Sequence, residues 1–341
     1  MKHLRNCWYM VGWADDVGTA GLSREILGKT IFFYRLEDGT PAAILDRCPH
    51  RFAPFSKGER DGDVLVCGYH GLGFDRNGHC VRNPFSARIP AGTDVPVWPV
   101  VERHGILWLW AGDADRIDQN LIPDFSFVPD TPALRSVRGY TLMKAHFEYG
   151  TDNLMDLSHI EFVHRGTFAG QGIIFQGEHS IRQEGETLHS DWWMPNITPP
   201  MVAQGLVAAG ETVDHWLRMR WNAPASMRLD VGACPHGAPE SAGFDIPQAH
   251  ILTPANEHET HYFWSASRNH DIDSAEADAY MLGLFREAFD VEDKPMIEAA
   301  YANVRGKDFW GEKPVSLGID QGGTRARRLL ESLIAKEGAH G

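Results

Sequence analysis

The sequence predicts an α+β protein in two parts: an all-β N-terminal region, then a mostly antiparallel sheet with helices gathered against it. Three observations carry this. Up to about residue 112 the apolar runs are short and separated by tight-turn pairs. Between residues 112 and 133 the chain becomes polar and proline-containing. Beyond that, strand-like stretches are interspersed with amphipathic helical patterns. The domains are therefore placed at 1–112 and 113–341. A chain of 341 residues with 43% hydrophobic and 23% charged content is long enough for two cores and too apolar for disorder.

The first region reads as hairpins. "KTIFFYRLEDGTPAAILD" is two apolar strands around Asp38-Gly39, and "GDVLVCGYHGLGFDRNGHCV" repeats the pattern around Asn77-Gly78. "WPVVERHGILWLWAG" makes a third pair. In the second region "RSVRGYTLMKAHFEY" reads as a strand and "GTDNLMDLSHIEFVH" as a helix. Further strands include "ETLHSDWWM", "DHWLRMRW", "QAHILTP" and "THYFWSASRN". A long helix is predicted from about Ser274 past Phe289, and "GGTRARRLLESLIAKE" is a final amphipathic helix.

A net charge of −14 argues against holding a nucleic-acid backbone or an anionic membrane. No apolar run reaches the length of a signal peptide or a transmembrane span, which points to the cytoplasm, where cysteines serve metals more often than disulfides. Cys7, Cys80 and Cys234 have no partner spacing and read as packing thiols.

The other two cysteines alternate with histidines: Cys48-x-His50, a gap of sixteen residues, then Cys67-x-x-His70. Each loop offers one thiolate and one imidazole at a strand end. A structural zinc site accepts such ligands. So does a [2Fe–2S] cluster in which two Cys hold one iron and two His the other, which raises the reduction potential.

A second cluster lies in "DNLMDLSHIEFVH". On a helix Asn153, Asp156 and His159 share one face, with Leu154 and Leu157 on another. His164 falls about 140° round from His159 on a helix of 3.6 residues per turn. Both can reach one ion only if the helix ends or distorts. An acidic third ligand is expected from elsewhere. In "MLGLFREAFDVEDKP" the stripe Leu282, Phe285, Phe289 continues to residue 293, so Asp293 is an acid on a buried face, costly unless paired or metal-bound. Glu292, one residue before, points roughly 80° away from that stripe and is expected in solvent. Two His and one carboxylate form the facial triad of non-haem Fe(II) oxygenases. Asp156, one turn before His159, is placed to accept a hydrogen bond from its non-ligating ring nitrogen.

The Cys/His signature resembles that of Rieske proteins. With "NCWYM", "CPHRFAPFS", "CGYHGL", "DNLMDLSHIEFVH", "YFWSASRN" and "GGTRARRLLESLI", nearly the whole chain is similar to the oxygenase components of Rieske non-haem iron oxygenases, in the vanillate O-demethylase and dicamba demethylase group. The resemblance implies an N-terminal Rieske domain and a helix-grip catalytic domain. It implies a [2Fe–2S] cluster on Cys48, His50, Cys67 and His70, and mononuclear Fe(II) on His159, His164 and Asp293. O₂ is the implied co-substrate, with electrons from a separate flavin/iron–sulfur reductase or ferredoxin. It also implies a homotrimer in which Asp156 bridges to a cluster histidine of a neighbouring subunit. The expected reaction is O-demethylation of a methoxylated aromatic acid with release of formaldehyde; methyl or ring hydroxylation, or electron carriage alone, are the alternatives. Trp193, Asn222, His250, Phe263, Leu284 and Phe285 are the candidate pocket residues, with Asp156 and Asn153 as catalytic candidates. His250 matches a substrate-contact position of the dicamba branch, whereas Leu229 and Leu284 are apolar where that branch is polar or indole-bearing.

Overall fold

The computed structural model describes residues 3–18, 20–168 and 172–338. The chain forms two compact units, Met1–Ile122 with Ala255–Glu257, and Pro123–Pro254 with His258–Gly341. Among the described residues, no helix is long and apolar enough to cross a membrane.

Among its described residues the first unit holds eleven short strands in three antiparallel sheets. The sheet of β1 (Trp8–Trp13), β10 (Val100–Arg103) and β11 (Ile106–Trp110) has β11 at its centre, and both β1 and β11 are buried along their whole length. A second sheet joins β2 (Leu22–Ile26), β3 (Lys29–Arg35), β4 (Pro41–Leu45) and β9 (Val97–Trp98). The third runs β5 (Glu59–Asp61), β6 (Val64–Val66), β7 (Gly73–Phe74) and β8 (Cys80–Arg82) in order. The turns at Gly39, Gly78 and His104-Gly105 take positive φ, as hairpins of this twist require. One core cluster gathers Phe32, Tyr34, Ile44, Phe55 and Phe74 around Cys48 and Cys67.

The second unit is built on one antiparallel sheet of seven strands: β12 (Arg135–Met143), β13 (Glu178–Glu184), β14 (Thr187–Ile197), β15 (Val213–Asn222), β16 (Ser226–Pro235), β17 (Phe244–Pro254) and β18 (Thr260–Arg268). Its order is β12-β18-β17-β16-β15-β14-β13. The expected strand after residue 135 stops at Met143, and Phe147 already opens helix α1 (Phe147–Met155). Asp156 breaks that helix; a 3₁₀ turn over Leu157–His159 and the short α2 (Ile160–Val163) follow, with His164 ending the run. The single expected helix is therefore two, and the distortion needed to aim both histidines is supplied.

Ser274 caps α3 (Ala275–Arg286), its side chain accepting from Ala277 N. The helix does not run on evenly: Glu287–Asp293 is a π-helical segment, and α4 (Lys294–Val304) begins directly after it. Pro295 has no N–H for the Val291 carbonyl, which removes the α-type bond that would compete with the wider turn. The last helix, α5 (Gln321–Gly338), packs on α1: Arg327 reaches Asp152 at 2.7 Å and Glu148 at 3.1 Å and lies over the Phe309 ring at 3.9 Å. Arg327 is buried, so this ion cluster pins α1, the helix that leads into His159 and His164.

Candidate metal centres

In the first unit the two Cys/His loops share one backbone pattern. Cys48 N donates to Ala53 O at 2.8 Å and Phe52 N to Cys48 O at 2.9 Å. Cys67 N donates to Leu72 O at 2.8 Å and Gly71 N to Cys67 O at 2.9 Å. The fourth residue after each cysteine, Phe52 or Gly71, has positive φ. Each loop thus folds back over its own cysteine, holding both thiols in the core while His50 and His70 come to the surface with ring centroids 4.4 Å apart. Burial pushes the Cys48 thiol up to about 11, and the adjacent Cys67 thiol adds to it. Such a thiol ionises only when a cation offsets the burial, as a coordinated metal does. The five cysteines are free of disulfides, so both thiols are available.

In the second unit the residues expected at a second metal converge. His159 Nε2 lies 3.5 Å from Asp293 Oδ1, and His164 Nε2 lies 3.3 Å from Asp293 Oδ2. The three ligand atoms fall within 4.8 Å of one another. Bonds of about 2.1 Å at right angles put donor atoms about 3 Å apart, so the set suits one face of an octahedral ion. Each imidazole has its other nitrogen engaged: His159 Nδ1 donates to the Asp156 carbonyl at 2.6 Å and His164 Nδ1 to Glu292 Oε2 at 2.9 Å. That leaves both Nε2 lone pairs aimed at the same point. Asn153 Nδ2 holds Asp293 Oδ1 at 3.1 Å.

The charges here follow from burial and pairing. Burial lowers the His159 pKa despite the attraction of Asp293. Burial opposes the His164 cation too, but the hydrogen bond and charge of Asp293, followed by those of Glu292, outweigh it and raise its pKa. For Asp293 burial favours the neutral acid, yet the two histidines and Asn153 hold its pKa below the usual carboxylate value.

Two expectations need correction. Glu292 is not in solvent: its side chain is 12% exposed, and besides His164 it accepts from Gly166 N at 3.0 Å and from the Thr167 hydroxyl. The π-helical turn widens the spacing of side chains, so neighbouring residues 292 and 293 both reach the histidine pair. The Asp156 carboxylate does not touch the His159 ring; its Oδ1 accepts from Ser158 N at 3.1 Å and Ser158 Oγ at 2.6 Å, and the backbone carbonyl serves the histidine. Asp156 is the cap of the 3₁₀ turn, a position that draws its side chain back onto the backbone.

A cavity of about 390 Å³ opens on the triad. Of the expected pocket residues, His250, Leu284 and Phe285 line it, as do Leu229 and Arg268. Trp193, Asn222 and Phe263 do not. The register explains all three. His250 pairs with Trp264, so Phe263 points the other way, onto Tyr140. Leu217 of the cavity wall pairs with Trp192, which turns Trp193 to the opposite face, where it stacks on Trp216. Asn222 shares that outer face and holds Thr187 at 2.8 Å. Gln248, His215 and Arg268 were missed by the sequence reading, and Glu292 was misplaced. Only Arg268, in a strand with no other Lys, Arg, Asp or Glu, gave a signal.

Loops with one thiol and one imidazole each, and a buried two-histidine, one-carboxylate face beside an apolar cavity, define the class of two-centre iron oxygenases. The Rieske [2Fe-2S] domain family matches residues 7–99, and the vanillate O-demethylase oxygenase C-terminal domain family matches residues 143–336. The chain belongs to the Rieske non-haem iron oxygenases, in the branch with this C-terminal domain. The oxygenase component of dicamba O-demethylase from Stenotrophomonas maltophilia is 36% identical over 99% of this chain and 100% of its own length. That of chloroacetanilide N-alkylformylase from Rhizorhabdus wittichii is 34% identical over 98% and 97%. The crystal structure of dicamba monooxygenase bound to dicamba superposes with a TM-score of 0.91 at 35% identity, over 99% of this chain and 100% of that one. The protein is thus an oxygenase component that works with a [2Fe–2S] cluster, mononuclear iron and O₂, and takes its electrons from a separate redox partner.

Proposed function

We propose that the chain O-demethylates a methoxylated aromatic compound, with Cys48, His50, Cys67 and His70 holding the cluster and His159, His164 and Asp293 holding the iron. The observation that carries the ligand assignment is the convergence of both Nε2 atoms on Asp293 while both Nδ1 atoms are occupied. Iron held there would supply the activation of O₂ for insertion into a substrate C–H bond, and a cluster on the Cys/His loops would supply the electrons. Asn153 and Glu292 keep the ligands in place through hydrogen bonds, and Leu154, Leu157, Phe285 and Phe289 hold the ring and exclude water. Insertion into an aryl methyl ether uses one O₂, two electrons and two protons and gives a hemiacetal and water. The hemiacetal breaks its C–O bond to yield the phenol and formaldehyde. Relatives named for O-demethylation of dicamba and of vanillate favour this outcome. A 32% identical subunit of a toluene-4-sulfonate monooxygenase system from Comamonas testosteroni keeps hydroxylation without demethylation as the second reading. The test is stoichiometric formaldehyde and phenol from methoxyarenes with reconstituted reductase; ring- or methyl-hydroxylated products without formaldehyde would overturn demethylation in favour of the second reading. A cytoplasmic location and a homotrimer complete the proposal. A methoxylated aromatic acid would not meet a free guanidinium at Arg268 of the cavity wall, which is ion-paired to Asp278 at 2.6 Å.

Two positioning roles are testable. Glu292→Ala is expected to weaken iron retention roughly 10- to 100-fold, because His164 loses the acceptor that orients it; iron titration with the cluster absorbance as internal standard measures this. Asp156→Asn keeps size and the Ser158 contacts but removes charge. In a trimer where Asp156 meets a cluster histidine of the neighbouring subunit, this variant retains both metals while single-turnover oxidation of the reduced cluster slows. Oxidation at the wild-type rate would leave Asp156 as a helix cap only.

A further inference from the structure

The hydrogen-bond partners of the cavity wall fix its charge. His215, on β15, donates from Nδ1 to the Gly232 carbonyl at 2.7 Å. A carbonyl only accepts, so the proton sits on Nδ1 and Nε2 is a lone pair with no partner among the described residues. His250, on β17, meets the Tyr262 hydroxyl through Nδ1 at 2.7 Å and Gln248 Oε1 through Nε2 at 3.2 Å. A hydroxyl donating to one nitrogen and an amide oxygen accepting from the other make a satisfied neutral imidazole, and leave the Gln248 NH₂ as a donor toward the cavity. Burial works the same way, pushing His250 down to about 3 and His215 to about 4.

The charged groups of the wall are balanced. Arg268 and Arg135 share Asp278, and Arg135 also holds Asp130, so two guanidiniums meet two carboxylates. Arg268 spends Nη2 on the carbonyls of Asp271 at 3.0 Å and Ser274 at 3.2 Å, Nη1 contacts the Met281 sulfur at 3.5 Å, and its buried Nε has no partner among the described residues. His270 lies 3.3 Å from Asp271, and both are exposed. At the triad, the carboxylates of Asp293 and Glu292 would be offset by the divalent iron that His159, His164 and Asp293 would hold. A carboxylate drawn from water into this cavity would find neutral donors and acceptors but no uncompensated cation, which is the costly way to bury a charge.

We infer that the cavity selects an uncharged methoxyarene over an arenecarboxylate, its polar substituent being met by the neutral groups Gln248 and His215. This deepens the O-demethylase reading and rests on it. The test uses the full-length, iron- and cluster-loaded protein under nitrogen, so that ligands bind without turning over. Calorimetry compares dimethoxybenzamide with dimethoxybenzoate, two probes of nearly one shape that differ in charge. The amide is expected to bind at least about tenfold tighter, a difference of about 1.4 kcal/mol. Leu229→Lys places an ammonium on the strand position opposite Gln248 and is expected to narrow or reverse that ratio. Equal or tighter binding of the benzoate to the wild-type protein, or failure of the amide to bind, overturns the inference whether or not the variant folds. Adding reductase and O₂ separates the two claims. Tight amide binding that yields no formaldehyde would remove the demethylase reading and leave the selection for neutral ligands standing.

Discussion

Asp293→Ala is expected to abolish turnover and to lower iron by about one per chain while leaving the cluster absorbance intact. Asp293 is the shared point of the triad, within 3.5 Å of His159 Nε2 and 3.3 Å of His164 Nε2. Without it two neutral imidazoles remain, a weak set for Fe(II), so the loss should exceed the roughly 10- to 100-fold cost of removing a ligand's hydrogen-bond partner. The side chain is only 4% exposed and carries its charge at the cost of burial, so folding itself should tolerate the change. Asp293→Asn, which keeps volume and the contact with Asn153, serves as the control for packing. Iron analysis and the visible spectrum decide the matter: an Asp293→Ala protein that holds its full complement of iron would transfer the third-ligand role elsewhere, with Glu292 as the nearest alternative.

Cys48→Ser and His70→Ala are expected to remove the red-brown colour of the cluster together with its iron, and with it all reductase-driven turnover. The two changes fail differently. Cys48 is 1% exposed, among Phe55, Phe74 and Cys67, so serine there also leaves a hydroxyl to be satisfied in an apolar core and should lower the melting temperature. His70 is nearer the surface, its ring against Tyr69 at 4.1 Å and His50 at 4.4 Å, and alanine should cost the cluster with less cost to the fold. Colour that survives in both proteins would rule out the assigned ligand set.

Several features of the protein were written in its sequence because they depend on local order. The alternation of Cys48, His50, Cys67 and His70 identifies two ligand loops before any fold is known, because each loop needs only about six residues to close over its cysteine. Asp293 stood out as an acid in an apolar stripe, and burial of an unpaired carboxylate is too costly to be incidental. The break in "DNLMDLSHIEFVH" could be required, though not located, from the angle between His159 and His164.

What the sequence could not decide was which face each element presents. Strand alternation puts Trp193 and Asn222 on one side and Leu217 on the other, but a period of two is the same whichever side meets the iron. Only the pairing of β14, β15, β16, β17 and β18 placed Trp193, Asn222 and Phe263 away from the cavity and brought Gln248 and His215 into it. Glu292 was misplaced for a related reason. An ideal α-helical step turns it into solvent, whereas the π-helical turn over Glu287–Asp293 brings it onto His164, a partner 128 residues away. The charge of the cavity was likewise hidden. Arg268 and Asp278 are ten residues apart in sequence, and His215 is neutral because it is buried and its Nδ1 proton is committed to Gly232, a residue on the adjacent strand. Local sequence determines which groups are present and how they alternate; the long-range pairing of strands and helices determines which of them share one small volume, and therefore which charges are balanced there.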